Sequence, residues 1–185
     1  MGVVGDFADF QNGFAFKSKD FCEDGEYNVI KIKELKDGNI KFTSDTARVK
    51  HADGIEKYVV NDGDILFALT GDPVSKPNPL SWVGRVSRYK GDSNAVLNQR
   101  VCKVIPKEGL NPLYLYYFFR NDLEFYQLAG KATGSASQAN ISTKTISDTY
   151  INLPEIEYQN KVVDILSSID KKIEINEKIN DNLAA

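Results

Sequence analysis

Residues 155–185 read EIEYQNKVVDILSSIDKKIEINEKINDNLAA, a run with neither glycine nor proline. Val162, Leu166, Ile169, Ile173, Asn176, Asn180 and Leu183 recur in it at alternating steps of four and three. That heptad spacing keeps one seam on one side of a helix. Ile165, Ile175 and Ile179 widen it. At 1.5 Å of rise per residue, roughly 29 helical residues reach about 43 Å, longer than a domain of this size needs internally. Two asparagines on the seam weaken it but fix register and orientation, as polar core positions do in coiled coils. The spacing predicts a long coiled-coil helix over 154–185 that meets another helix. A terminal helix folded back onto its own core is the competing reading.

Upstream, residues 1–153 carry mixed signals. Tyr27-Asn-Val-Ile-Lys-Ile-Lys-Glu-Leu35, a Lys36-Asp-Gly-Asn39 turn and Ile40-Lys-Phe42 read as a half-buried hairpin. Asp62-Gly-Asp64 leads into the apolar run Ile65–Leu69, which suits a buried strand. More β character follows over 82–89 and 95–105. Between them, Pro73, Pro77 and Pro79 stiffen an exposed loop, since proline neither continues a helix nor donates to a sheet. Asn111 and Pro112 then form a helix start, with Leu113, Tyr116, Tyr117 and the 119–125 stretch packing one side. A polar loop over 130–140 comes next, rich in small residues and amides that let backbone approach a ligand. The expected class is α+β, a mixed α/β domain over 1–153 followed by the long helix over 154–185.

The net charge of -3 conceals an uneven distribution. Residues 1–75 hold 9 Lys/Arg against 14 Asp/Glu, and residues 151–185 hold 4 against 7, whereas residues 76–131 hold 9 against 4. Such a basic block is either a phosphate-facing surface or a solvated face with scattered lysines. No stretch approaches the ~18 consecutive apolar residues of a membrane span, and Met1–Asp6 lacks the charged start and apolar run of a secretory signal. A cytoplasmic protein with no membrane association is expected. Cys22 and Cys102 lie far apart in apolar surroundings, which suits reduced, buried thiols rather than a metal or redox pair.

Catalytic signatures are missing. Asn111-Pro-Leu-Tyr114 is one substitution from the Asn-Pro-Pro-Tyr element of amino-methyltransferases, but no glycine-rich cofactor loop accompanies it, and helix capping accounts for Asn111 and Pro112. No GxxxxGK[ST] phosphate loop occurs. His51 stands in a polar stretch without a Ser or Cys partner pattern, and Asp62 and Asp64 flank an ordinary turn glycine. Neither catalytic residues nor a metal site are assigned.

Asn12-Gly-Phe-Ala-Phe-Lys-Ser-Lys-Asp-Phe21, Gly63-Asp-Ile-Leu66, Leu97-Asn-Gln-Arg-Val101, Gly134-Ser-Ala-Ser-Gln-Ala-Asn-Ile-Ser142 and Leu153-Pro-Glu-Ile-Glu-Tyr-Gln159, with the helix after them, resemble the specificity (S) subunits of type I restriction-modification systems. The likeness covers essentially the whole chain. It implies a target recognition domain followed by a helix, duplex DNA as ligand, and methyltransferase (M) and restriction (R) subunits as partners. It also implies that this chain binds no cofactor, S-adenosylmethionine being held by the M subunit. Family members carry two recognition domains and two helices that pair antiparallel. This sequence holds one of each and no internal repeat, which leaves a half-subunit that pairs with its own copy or a fragment. The first is favoured, because the Leu166/Ile169/Ile173 seam would otherwise stay bare. A two-fold pair would read a bipartite site with inverted, identical halves.

With that likeness, loop chemistry nominates the DNA contacts. Lys76, Arg85, Arg88, Lys131 and Lys144 are assigned to phosphates, with Gln138 or Asn140 pairing bidentately with adenine and Arg85 or Arg88 with guanine. Ser135 and Ser137 suit either phosphate or base. Trp82 is equally core or contact and stays off the set. Val162, Leu166, Ile169, Ile173, Asn176, Asn180 and Leu183 are assigned to the dimer or partner interface. The readings from other classes are a scaffold whose globular part binds no DNA and an orphan methyltransferase fragment.

Overall fold

All four side chains of strand Ile65–Ala68 are buried, because both faces of the sheet that contains it are covered. The computed structural model describes residues 1–91 and 93–184. Asp92, inside the basic block, and Ala185, at the end of the expected helix, lie outside the described residues. In the central sheet, strands Ala8–Asn12, Val101–Pro106, Ile65–Ala68, Val86–Arg88, Asn39–Ile40 and Leu35–Lys36 lie side by side in that order. Cys102 pairs with Asn12 on one side and Phe67 on the other. Ile65, Phe67, Val86, Cys102 and Val104 pack toward the helices, where they meet Leu115, Phe119, Leu128 and Ile146. Leu66, Ala68 and Val101 point the other way and meet Ile30, Leu35, Tyr89 and Leu97. An unbroken apolar run is what a strand buried on both faces requires.

The mixed α+β architecture with a long C-terminal helix is the one expected. The expected hairpin over 27–42 is only partly present. Its Asp37-Gly38 turn exists, with positive φ at both residues (44° and 77°), and joins the two-residue arms Leu35–Lys36 and Asn39–Ile40. Tyr27–Ile30, however, belongs to another sheet, pairing parallel to Ala95–Leu97 and antiparallel to Arg48–Val49. A 3-10 turn at Ile32–Glu34 separates the two, and the N–H of its capping residue Lys31 donates to the Glu34 carboxylate at 3.0 Å. Alternation alone cannot reveal that switch of sheets.

The helices are α1 (Val4–Phe7), α2 (Pro112–Arg120), α3 (Asp122–Gly130), α4 (Thr143–Ser147) and α5 (Ile156–Ala184). Asn111 caps α2 as expected, its Oδ1 accepting from Leu113 N at 2.9 Å. Asn121 repeats the device on Leu123 N at 3.0 Å and breaks the expected single helix into α2 and α3. Trp82 is core. It stacks on Phe125 with centroids 6.0 Å apart, and its indole N–H donates to the Lys76 carbonyl at 2.8 Å.

The long helix is present, and the competing reading, in which it folds back onto its own body, holds in part. Its first turns lie on the body, with Gln159 and Val163 buried and Asp170 accepting from the Tyr117 hydroxyl at 2.8 Å. The seam flanks that contact and leaves it along the helix. Val162 and Leu166 are half-buried, while Ile169, Ile173, Asn176, Asn180 and Leu183 are exposed.

Candidate nucleic-acid interface

The polar segment read as a loop is an ordered hairpin. Thr133–Ser135 pairs with Gln138–Asn140, and Gln138–Asn140 pairs in turn with Thr70–Gly71. Its sequence allows this because Ser135 closes the turn, its hydroxyl accepting from Gln138 N at 3.2 Å and lying 3.0 Å from the Ser137 hydroxyl. Ala139 is the inward anchor, so Ser135, Ser137, Gln138 and Asn140 all stand exposed on the outer surface. Gly134 has φ 142° and an added Cβ would lie 2.2 Å from the Gln138 carbonyl oxygen. Glycine is required there, and the same tightness holds the hairpin in shape.

Ser137 and Gln138 meet Arg85, Lys33, Thr70 and Asp72 around an open cleft of about 260 Å³. Three of the sequence-nominated residues, Arg85, Ser137 and Gln138, thus converge. Arg85 is not a free arm. Its guanidinium donates to the Leu80 carbonyl and, at 3.2 Å, to the Ile32 carbonyl. Burial pulls its pKa below the usual arginine value, and Asp72 works against that pull. It therefore ties the proline loop to the Ile32–Glu34 turn, and its Nε is sealed without a partner among the described residues.

The other nominated cations disperse. Arg88 ends strand Val86–Arg88, three residues beyond Arg85; it is half-buried, and its Nε is sealed without a partner among the described residues. Lys144 is exposed on α4 and pairs with Asp148 at 2.8 Å. Lys76 is exposed on the proline loop, and Lys131 is exposed at the end of α3, two residues before the hairpin begins.

The basic block as a whole is not one positive face. Lys103, buried in its strand, pairs with Asp64 at 3.1 Å and donates to the Val59 carbonyl at 2.9 Å. Lys107 pairs with Asp9 at 3.0 Å, Arg120 with Asp37 at 3.4 Å, and Lys90 with Glu174 of α5. Counting charge along a chain cannot see acids that come from elsewhere in it.

Two sets of residues escaped the sequence reading. The first is the joint between body and helix. Gln159 is fully buried; its Oε1 accepts from Asn111 N at 2.9 Å, and its Nε2 donates to the carbonyls of Gly109 and Pro154, each at 2.8 Å. Two and three turns on, the Tyr117 hydroxyl reaches Ser167 at 3.3 Å and Asp170 at 2.8 Å. Burial pushes the Tyr117 phenol up to about 12, which keeps it a donor. The second set is Arg100 with Thr70, beside the hairpin.

This body and its helix match known proteins over their whole extent. Residues 2–185 match the family described as Type I restriction modification DNA specificity domain. The chain belongs to that family. Curated relatives include the type I restriction enzyme MjaVIII specificity subunit of Methanocaldococcus jannaschii, 30% identical over 92% of this chain and 39% of that protein. The EcoBI specificity subunit of Escherichia coli is 30% identical over 88% of this chain and 30% of its own length. The chain thus spans well under half the length of the type I specificity subunits it matches. The fold agrees with the crystal structure of the HsdS subunit from Thermoanaerobacter tengcongensis, at TM-score 0.62 and 16% identity over 94% of this chain and 37% of that one. A chain from a structural study of complex assembly and conformational transition of the type I R-M system gives TM-score 0.67 at 14% identity, covering 96% of this chain and 39% of that one. Among the described residues no helix is long and apolar enough to cross a membrane, and no group of His, Cys, Asp and Glu is arranged to hold a metal ion.

Proposed function

We propose that this type I specificity protein is a non-catalytic DNA reader that binds one half of a bipartite duplex site in the cytoplasm and docks methyltransferase subunits. Catalysis and S-adenosylmethionine belong, on this reading, to the M subunit, and the R subunit joins the same assembly. The family match over residues 2–185 carries the reading, and the exposed Ser135–Asn140 hairpin supplies a rigid, polar reading element. Lys76 and Lys131 position the domain on phosphates, with Gln138 and the serines at the base edges.

The helix seam is the second half of the proposal. Ile165, Ile169, Ile173, Ile179 and Leu183 are each about half-exposed or more, a stripe too long and too apolar to leave in water. A second copy laid antiparallel covers it, because the stripe is self-complementary under a two-fold axis and Asn176 and Asn180 fix its register. The two recognition domains then lie along a rod of about 43 Å, compatible with half-sites one DNA turn, roughly 34 Å, apart.

Methylome sequencing of a host that expresses this chain with its M subunit tests both halves. An inverted-repeat motif is expected; an asymmetric motif rules out self-pairing, and absence of any new methylation rules out the reader. Sedimentation of Ile169→Glu/Ile173→Glu should show monomer where the wild-type chain is dimeric. Unchanged sedimentation would remove the seam from the interface. Retention on random duplex that does not depend on salt would favour the scaffold reading instead.

A further inference from the structure

Arg100, Thr70 and Asn140 form a hydrogen-bonded relay. Arg100 Nη1 lies 3.1 Å from the Thr70 hydroxyl, and that hydroxyl lies 2.8 Å from Asn140 Oδ1. A guanidinium only donates, so the threonine oxygen accepts from Arg100, and its own proton is given to the Asn140 oxygen that faces it. In this arrangement the Asn140 carbonyl oxygen is turned inward onto Thr70, and its NH2 is the part left to face out. Thr70 is only 3% exposed, whereas Arg100 and Asn140 are exposed. A buried hydroxyl therefore holds two surface heads in one fixed relation, across the strand pairing in which Asn140 stands opposite Thr70.

The backbone around Arg100 is equally fixed. Its carbonyl accepts from Leu69 N at 2.9 Å, and the neighbouring Gln99 N–H donates to the Phe14 carbonyl at 2.9 Å. Arg100 makes no ion pair among the described residues, unlike Lys90, Lys103, Lys107 and Arg120 of the same basic block. Its remaining donors and the Asn140 amide protons present a surface that gives hydrogen bonds and takes none through the committed atoms.

We propose that Arg100 and Asn140, registered by Thr70, form one donor-only contact unit for an acceptor-rich part of duplex DNA. Its target is a phosphodiester oxygen or the O6/N7 edge of guanine, and this assignment replaces adenine pairing by Asn140. It rests on the DNA-reading role proposed above. Arg100 and Asn140 touch the ligand, and Thr70 is the positioning residue.

The test measures binding of the full chain to a 30-base-pair random duplex, and to duplexes selected from a random pool, across a salt series. Arg100→Ala should bind selected duplex roughly 5- to 150-fold more weakly. Thr70→Val keeps the buried shape, and the two heads it uncouples remain hydrated, so the fold survives. It should lose much of what Arg100→Ala loses, and Thr70→Ser should restore it. Adding Thr70→Val to Arg100→Ala should then cost less than the sum of the two. A phosphate target makes the log–log salt slope shallower by about 0.9 for each phosphate no longer neutralised. A guanine target leaves the slope and removes the preference for guanine at one position. Wild-type binding with Arg100→Ala and Thr70→Val at full affinity and unchanged slope would overturn this unit alone. Absence of salt-dependent duplex binding by the wild-type chain would overturn the DNA-reading role first, and this unit with it.

Discussion

Replacing Gln159 by methionine removes the joint's hydrogen bonds while keeping the side chain's length and approximate volume. The amide serves three backbone groups, Asn111 N–H and the carbonyls of Gly109 and Pro154, and Gln159 itself is 0% exposed. Each group left unpaired in a buried setting costs about 1–3 kcal/mol. Because all three bonds are part-buried rather than sealed, the losses sum to about 3–6 kcal/mol, and the transfer of an apolar methionine into the site offsets roughly 1 kcal/mol of that. A net destabilisation of about 2–5 kcal/mol follows. With a urea slope near ~2 kcal/mol per molar for a domain of this size, the midpoint should fall by about 1–2.5 M. Urea titration followed by far-UV circular dichroism measures it, with Trp82 fluorescence reporting the body core separately. Because α5 is fastened by this amide, the helical signal should be lost before the Trp82 signal. A midpoint within about 0.3 M of wild type, with coincident transitions, would refute the joint.

Two further outcomes rest on titratable groups. Burial raises the Glu34 pKa above the usual carboxylate value, with the Lys31 N–H and the charge of Lys33 acting against the rise. The folded state therefore holds that proton more tightly than the unfolded chain, and the contribution to stability, present in acid, is lost as pH rises through the folded pKa. Glu34→Gln should melt above wild type at about pH 7 and approach it near pH ~4; a variant less stable at neutral pH would contradict this. Burial also pushes the Cys102 thiol up to about 12, while Cys22 is half-buried. An aromatic disulfide reagent should accordingly titrate at most one thiol in the folded protein and two in urea, and two fast thiols without denaturant would count against the packing of Val101–Pro106.

Strand Ile65–Ala68 and the Asn111–Pro112 helix start are readable from sequence because their signals are local: an unbroken apolar run and a cap followed by proline. Tyr27–Ile30 fails for the opposite reason. Its partner strand, Ala95–Leu97, is far along the chain, and nothing in the alternation of lysines and isoleucines tells which sheet receives it. The Ser135–Asn140 segment reads as a loop because glycine, serine and asparagine suit turns; only pairing with Thr70–Gly71 makes it a sheet edge. The site follows the same division. Gln138 and the serines are visible as polar residues on a small-residue background, whereas Arg100 gains its meaning from Thr70 and Asn140, neither of them its neighbour in sequence. Arg85 and Arg88, assigned to phosphates or guanine from loop chemistry and the family likeness, turn out half-buried. Gln159 carries no signal of its own beyond a polar residue at the start of an apolar helical face.

Every hydrogen-bond partner of the Gln159 amide is main chain. That part of the attachment depends on no other side chain, and its remaining contacts, through Tyr117 and Lys90, lie outside the hairpin, so it is indifferent to what the outer hairpin spells. Heads with different hairpin sequences could be mounted on one unchanged rod, so selection can vary which sequence is read without re-engineering how the reader is held.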